Sequence, residues 1–251
     1  MNPRRFSTLA HARHRICHPL SPETVDAALE RITVPPAALA FDAGCGKGEM
    51  LLRLVRRAGA KGVGVDLNAE FLEEARAATA ARPGPGSLEW REQDATAFAA
   101  AESDGAYHVT MCVGSTHAFG TLGDTLRALA RLTRRGGYML AGEGYWRRPP
   151  ESGYLAALGD VAGDLTSHAE NFARGKEQGF EPLWNAEATP TDWDAYEGLY
   201  ADSIERFAAA HPEDPDRDAM LERIRAWRDT YSRWGRDTLG FGLYLFRQST
   251  S

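Results

Sequence analysis

Two acidic residues near the start of the chain each follow a short apolar run. Asp42 comes after residues 39–41, and Asp66 comes after residues 62–65. Glycines stand at alternate positions just after the first acid, at Gly44, Gly46 and Gly48. Glycine lets the backbone reach positive φ and lets a ligand approach without a Cβ in the way. An acid at the tip of the second strand can accept hydrogen bonds from ribose hydroxyls. The spacing therefore predicts a nucleoside-containing ligand at the carboxyl ends of a parallel sheet.

The glycine spacing also limits which nucleoside ligand fits. A dinucleotide fingerprint has a third glycine that permits close helix packing, and Glu49 stands in that place here. A carboxylate at this point, and Asp42 before the turn, would repel a pyrophosphate. The Gly-Lys-Ser/Thr sequence of a P-loop is missing from the turn. Asp42 instead suits a cationic ligand, such as one that carries an amino group and a sulfonium.

Strand and helix patterns alternate around these residues, which favours right-handed βαβ units and a parallel sheet. Residues 1–20 are expected to be irregular or partly helical. Ser21 as an N-cap and Pro22 in the first turn predict a helix that ends before Pro35. The strands are expected near 38–42, 62–66, 87–91, 107–113 and 136–142, with helices near 48–59, 69–81 and 122–134.

The pattern changes after residue 145. Residues 151–178 are expected to be mostly helical, and a strand follows Gly179. A helical stretch then runs from Thr191 to about Arg236, and the last strand begins at Gly240. A connection of this length between two strands is unusual, so residues 190–236 are interpreted as a helical cover over the substrate side. Extra packing away from the site is the alternative for each of its residues.

Several motifs of the chain resemble those of class I S-adenosylmethionine-dependent methyltransferases. Residues 42–48 resemble the family's first motif, Asp66 resembles its ribose-binding acid, and residues 92–95 resemble its adenine loop. Tyr107–Val113 and residues 135–142 resemble its fourth and fifth strands. Residues 143–146 and the tail from Trp234 resemble a poorly characterised bacterial subgroup. The resemblance implies an α/β fold with three layers: a doubly wound, mostly parallel seven-stranded sheet with an antiparallel last strand. The chain adds a helical insert near the C-terminus to this fold.

The resemblance also implies a binding site for S-adenosyl-L-methionine. Asp42 is expected to contact the methionine amino group, Asp66 the ribose diol and Asp94 the adenine amino group. A turn role for Asp42 and a helix-capping role for Asp94 are the alternatives. Cys45 is expected to be a small residue of the turn rather than a nucleophile. The full set of expected donor-binding residues is Asp42, Gly44, Cys45, Gly46, Asp66, Leu67, Asp94, Ala95 and Val113.

Candidates for the acceptor side follow the fourth and fifth strands, where ligands bind in open α/β sheets. His117 could act as a base, because the unperturbed pKa of histidine is near 6.5. Glu143 and Tyr145 are the other catalytic candidates. For His117, the alternative is a histidine that caps a helix or lines the pocket. For Glu143, it is a buried carboxylate that pairs with Arg147 and Arg148. The expected substrate-binding residues come from the N-terminal arm, the segment after the fifth strand and the cover, and they are His11, His14, Trp146, Trp193 and Tyr196.

The composition predicts a single domain with a sizeable core. The chain has 251 residues, of which 43% are hydrophobic, and a net charge of −6. We divide it into an N-terminal arm and helix (1–35), a donor-binding core (36–148) and a C-terminal half (149–251). The acidic balance disfavours nucleic acid as a partner. The arm holds a basic cluster without an apolar signal region, and a cytoplasmic protein with no membrane association is expected.

Methyl transfer to a small molecule through an O or N nucleophile is the favoured function, by a monomer or homodimer. The three cysteines have no metal-binding spacing, so no metal is expected. The residues after the fourth strand, 112–115, lack the Asn/Asp-Pro-Pro-aromatic turn of enzymes that modify nucleobase amines or glutamine amides. Two alternatives stay open. One is a tRNA or protein methyltransferase that uses the arginine-rich arm, and the other is a non-catalytic S-adenosylmethionine-binding protein.

Overall fold

Seven strands form one sheet in the computed structural model, which describes residues 2–159 and 165–249. They are β1 (Leu39–Ala43), β2 (Lys61–Asp66), β3 (Ser87–Glu92), β4 (Tyr107–Val113), β5 (Thr133–Trp146), β6 (Phe180–Glu187) and β7 (Leu239–Gln248). Their order across the sheet is β3-β2-β1-β4-β5-β7-β6. The five strands from β1 to β5 pair in parallel, while β7 runs antiparallel to both β5 and β6. The predicted mostly parallel sheet with an antiparallel last strand is confirmed.

Helices pack on both faces of the sheet. They are α1 (Pro3–Ala10), α2 (Pro22–Glu30), α3 (Glu49–Ala58), α4 (Ala69–Ala81), α5 (Ala95–Ala101), α6 (Leu122–Leu132), α7 (Ser152–Leu158), α8 (His168–Glu177), α9 (Pro190–Ala210), α10 (Arg217–Thr230) and the short α11 (Arg236–Thr238). A π-helical turn, Tyr231–Gly235, joins α10 to α11. Within the described residues, no helix combines the length and the apolar character that crossing a bilayer requires.

Local signals account for most helix boundaries. Ser21 caps α2 and Pro22 occupies its first turn, as the sequence predicts. The helix expected to reach residue 134 ends at Leu132, because the backbone of Thr133 is already extended and β5 begins there. The helix α5 was not expected as a separate element. It is short, and Asp94 caps it by accepting from the N–H of Ala97 at 2.8 Å.

Three groups of buried side chains hold these layers together. One lies between the sheet and α2, α3 and α4, and it includes Val25, Leu54 and Leu72. A second lies on the opposite face against α5 and α6. The third is separate from the sheet and joins the arm to the insert: α1 packs on α9 and α10 through Phe6, Ala10, Ala201, Ile204, Met220 and Ile224. The N-terminal helix and the helical insert therefore form one packed unit.

Candidate functional site

A cavity of about 540 Å³ lies at the carboxyl ends of β1, β2 and β4. The glycine loop after β1 forms its floor, and residues of the N-terminal arm (residues 2–20) and of α9 form its roof. We call it the donor cavity. The predicted residues that line it are His11, Asp42, Gly44, Cys45, Gly46, Asp66, Leu67, Val113, His117 and Tyr196. The sheet thus brings together residues from the arm, three strand ends and the insert.

The glycine loop needs its glycines because its backbone is left-handed and tightly packed. The φ angles of Gly44, Gly46 and Gly48 are +67°, +52° and +71°. A Cβ on Gly44 would overlap the Cβ of Ser115, and a Cβ on Gly48 would overlap the ring of Trp90. A side chain at either position would therefore both strain the backbone and push the loop out of place.

Asp66 holds the glycine loop and also lines the donor cavity. One carboxylate oxygen accepts from the backbone N–H of Gly46 at 2.8 Å, and the other accepts from the N–H of Asn68 at 2.8 Å. Each carboxylate oxygen has lone pairs for more than one hydrogen bond. The carboxylate can therefore hold the loop and accept further hydrogen bonds from a ligand.

Asp42 lies beneath the same loop and is almost completely buried, with 5% of its surface exposed. Burial, followed by the nearby charge of Asp66, raises the pKa of its carboxyl to about 8. Without a cation beside it, this carboxyl binds a proton at neutral pH. A cation in the cavity would favour the charged form, so the position is suited to a positively charged ligand.

Lys47, within the glycine loop, fastens the arm over the donor cavity. Only 6% of this residue is exposed. Its ammonium group donates to the carbonyls of His11 (2.9 Å) and Ala12 (3.3 Å), and it pairs with Glu74 of α4 at 2.8 Å. Two N–H donors of the ammonium group therefore bind carbonyls that follow α1, while the third contacts a carboxylate of α4. A lysine between two glycines is visible in the sequence, but the residues that it contacts cannot be identified from the sequence.

His11 and Tyr196 form a hydrogen-bonded pair in the cavity roof. Nδ1 of His11 is 2.8 Å from the carbonyl of Ser7, which can only accept, so Nδ1 carries the hydrogen. Nε2 therefore accepts from the hydroxyl of Tyr196, also at 2.8 Å. Burial lowers the pKa of His11 to about 4, so the pair is uncharged at neutral pH. Burial also raises the pKa of the Tyr196 hydroxyl, so a proton can reach Nε2 through the phenol only in a reaction that removes another positive charge from the cavity.

Other arm residues of the cavity lining were not identified from the sequence. The imidazole of His18 stacks on Phe241 and contacts the sulfur of Met50 at 3.2 Å. Burial lowers its pKa to about 3 and raises the pKa of the neighbouring thiol, Cys17, to about 12. Both groups are uncharged at neutral pH. The sequence shows that the arm contains several histidines, but no local sequence pattern indicates which of them points into the donor cavity.

Several expected site residues lie outside the lining of the donor cavity. Asp94 and Ala95 begin α5, where Asp94 acts as the N-cap. Glu143 accepts from Thr116 and from the N–H of Gly144 (2.6 Å), and Tyr145 donates to Glu187. Both side chains are engaged by these partners, and both residues lie within β5, which pairs with β7 from Tyr138 to Trp146.

Some of the expected substrate-binding residues line the donor cavity, and the others lie outside its lining. Trp193 is 7% exposed and belongs to the core beside α2 and α3. The ring of Trp146 packs against Tyr154 of α7, with ring centroids 6.0 Å apart. His14 donates to the carbonyl of Tyr196 (3.0 Å) and lines a second cavity behind the arm. Of the five, His11 and Tyr196 line the donor cavity.

Replacing Lys47 with methionine is expected to loosen the arm. The variant loses the hydrogen bonds that join the glycine loop to the carbonyls of His11 and Ala12, each worth about 1 kcal/mol. Dissociation of S-adenosylhomocysteine should become roughly fivefold faster, as measured by stopped-flow fluorescence, and trypsin should cleave the arm at Arg13 or Arg15 sooner. Lys61→Met, at the exposed start of β2, is the matched control. Equal rates in the two variants would rule out this role for Lys47.

Comparisons with known proteins agree with this geometry. Residues 40–137 match the sequence model of a family described as "Methyltransferase domain". The chain is 25% identical over 242 residues to the uncharacterized protein YjhP of Escherichia coli K12, with 96% of both chains covered. It is similar to two methyltransferases solved with S-adenosyl-L-homocysteine. The Geobacter sulfurreducens enzyme is 28% identical with a TM-score of 0.86, over 96% of this chain and 97% of that one. The Thiobacillus denitrificans enzyme is 27% identical with a TM-score of 0.87, over 98% and 99%.

Proposed function

Because the chain is a class I S-adenosylmethionine-dependent methyltransferase, we propose that it methylates a small molecule through an O or N nucleophile. The observation that carries this proposal is the roof that the arm and the insert form over the donor cavity. The arm is fastened to the glycine loop by Lys47, and α1 packs against the insert. An acceptor must fit beneath or beside this roof, which suits a small molecule better than a folded macromolecule.

The donor site assigned to S-adenosylmethionine is built from the glycine loop and the strand ends. The left-handed turn at Gly44 and Gly46 leaves room where a side chain would stand. The buried carboxyl of Asp42 faces the amino group of the methionine part, and Asp66 accepts from the ribose hydroxyls. Leu67 and Val113 provide apolar walls. Asp94 and Ala95 stay assigned to the adenine, although Asp94 also caps α5.

The protein's own contribution to the reaction is to hold the acceptor in line and to accept its proton. The donor supplies a methyl group activated by a sulfonium, whose positive charge disappears on transfer. A hydroxyl or protonated amine acceptor must lose a proton in the same reaction. The phenol of Tyr196 can take it while its own proton passes to Nε2 of His11. The sulfonium loses its positive charge and the imidazole of His11 gains one, so the net charge of the cavity does not change.

Other candidates for the base have different surroundings. His117 lines the donor cavity but is exposed on a short 3-10 helix, Thr116–Ala118. Glu143 accepts a hydrogen bond from Thr116 of that helix, and Tyr145 donates one to Glu187 of β6. We therefore place Tyr196 and His11 first, and His117 second, as acceptors of the proton.

The alternative acceptors, tRNA or a protein, would need the arginines of the arm to face outward. Two of the arm's four arginines pair with the insert instead, Arg5 with Asp214 and Arg13 with Asp202 of α9, while Arg4 and Arg15 are exposed. These pairs hold the arm onto the insert. The net charge of −6 also disfavours binding to a phosphate backbone. The three free cysteines support the reducing environment of the cytoplasm as the location of the reaction.

Incubation of the protein with donor labelled in the methyl group and with a bacterial extract tests the acceptor class. We expect the label in dialysable compounds that chromatography separates from the donor, and not in the RNA or protein retained by the membrane. Heat-inactivated protein is the control. Label retained with tRNA or protein would contradict the small-molecule proposal, and binding of S-adenosylhomocysteine without any transfer would favour a non-catalytic binder.

A further inference from the structure

A second cavity, of about 460 Å³, lies behind the arm between residues 13–23 and the start of α9. We call it the side cavity. Four residues line both this cavity and the donor cavity: Arg15, Ile16, His18 and Tyr196. They lie at the boundary where the two cavities adjoin, which we call the shared wall. A molecule that fills the side cavity therefore approaches the donor cavity at the same wall that carries the phenol of Tyr196.

Most of the side cavity is lined by uncharged groups. Apolar side chains cover much of its surface: Ile16, Pro19, Leu20, Pro22, Ala195 and Leu199. Its two histidines, His14 and His18, are uncharged at neutral pH because burial lowers the pKa of each. Walls of this kind, with few polar groups, bind an aromatic or aliphatic body.

The charge at the wall is positive, and it comes from Arg15. Glu49 receives three guanidinium groups: Arg82 at 2.7 Å, Arg53 at 2.9 Å and Arg15 at 3.2 Å. With Asp26, which pairs with Arg53, two negative charges stand against three positive ones. The side chain of Arg15 is 67% exposed and lines both cavities, and its hydrogen bond to Glu49 uses one of its five donors.

The other charged groups of the side cavity are already engaged or stand at its outer rim. Arg13 pairs with Asp202, and Asp192 accepts from Thr189 in the capping box of α9. Glu23 lies exposed in the first turn of α2, where the helix N-terminus favours an acid. Arg15 is therefore the charged group best placed to contact a ligand at the shared wall.

We propose that the side cavity binds the acceptor, and that this acceptor is a small aromatic or aliphatic carboxylate whose anion binds Arg15. The proposal rests on the small-molecule acceptor argued above. The apolar body would fill the side cavity, while the carboxylate and the nearby nucleophile would lie at the shared wall. A guanidinium binds a carboxylate through two parallel hydrogen bonds, which also fixes its orientation.

Two probes with the same apolar body and opposite charge test the proposal, namely 2-naphthoate and 2-naphthylmethylammonium. Each is titrated by calorimetry into protein saturated with S-adenosylhomocysteine. We expect 2-naphthoate to bind at least roughly tenfold more tightly than the ammonium compound, without displacing S-adenosylhomocysteine. Arg15→Gln should weaken 2-naphthoate binding about tenfold, since Glu49 keeps Arg53 and Arg82 and the fold is retained.

Arg225→Gln, on the exposed face of α10, is the matched control and should bind 2-naphthoate like the unaltered protein. Arg15→Lys keeps the charge but loses the two parallel donors, so it should bind 2-naphthoate with an intermediate affinity. This variant takes the place of Arg15→Gln in the test if Arg15→Gln is unstable. Equal binding of the two probes, or no binding of 2-naphthoate, would overturn the proposal. So would an equal loss of S-adenosylhomocysteine affinity in Arg15→Gln, because Arg15 would then serve the donor. Transfer of label to dialysable compounds alongside such results would leave the methylation proposal intact and reject only this subsite.

Discussion

Replacing Asp66 with alanine is expected to weaken S-adenosylhomocysteine binding by about 1.5–3 kcal/mol, roughly 10- to 150-fold. The carboxylate is assigned to the ribose hydroxyls, and hydrogen bonds to a charged group are stronger than neutral ones. The same substitution frees the N–H of Gly46, so the glycine loop also loses an anchor. Isothermal titration calorimetry with S-adenosylhomocysteine measures the change directly.

Two further variants make the Asp66 measurement specific. Asp66→Asn keeps one acceptor oxygen for the loop and should lie between the alanine variant and the unaltered protein. Asp229→Ala, on the exposed side of α10, should leave the affinity unchanged. A folded Asp66→Ala protein that binds S-adenosylhomocysteine at full affinity would show that the ribose lies elsewhere.

Binding of S-adenosylhomocysteine is expected to tighten as the pH rises from 6 to 8 and to release a proton. The carboxyl of free Asp42 has a pKa raised to about 8 by burial and by Asp66, so it is protonated at pH 6. The ligand's ammonium group favours the carboxylate, so the bound state has the lower pKa. Below a pH of about 8, affinity should therefore fall with decreasing pH, by at most about tenfold per pH unit.

Calorimetry in buffers of different ionisation enthalpy counts the protons released. Asp42→Asn cannot titrate, so it should bind S-adenosylhomocysteine with little change between pH 6 and pH 8 and without the proton release. Its affinity should approach that of the unaltered protein at pH 6 and fall below it at pH 8. If the unaltered protein releases no proton at pH 7, Asp42 does not face the ligand's ammonium group.

The sequence was sufficient where function depends on neighbours along the chain. The glycine loop, the acid Asp66 and the helix Ala69–Ala81 follow from residue types and spacing within short segments. It was insufficient at the end of β5. Glu143 and Tyr145 were placed beyond that strand, but an apolar run does not mark where pairing stops. The ladder continues, with Glu143 opposite Gly242 and Tyr145 opposite Gly240.

The roof of the donor cavity could not be predicted from the sequence, for a different reason. His11 meets Tyr196, and Lys47 meets the carbonyls after α1, across long separations along the chain. No local pattern encodes such contacts. Helical spacing of aromatic residues was also ambiguous: Trp193 faces the core while Tyr196, on the same helix, faces the cavity. Which face of α9 turns inward depends on the packing of α1 and α10, which only the folded chain reveals.

The packing of α1 on the insert has a consequence for the order in which the chain acquires its structure during synthesis. Phe6 and Ala10 leave the ribosome early, but their partners Ala201, Ile204 and Ile224 emerge near the end of translation. Contacts between segments so distant in sequence close a long loop and form slowly. The parallel strands β1 to β5 and the glycine loop can assemble first, while the apolar side of α1 stays exposed and can be bound by chaperones. The donor site therefore becomes complete only in one of the last steps of folding.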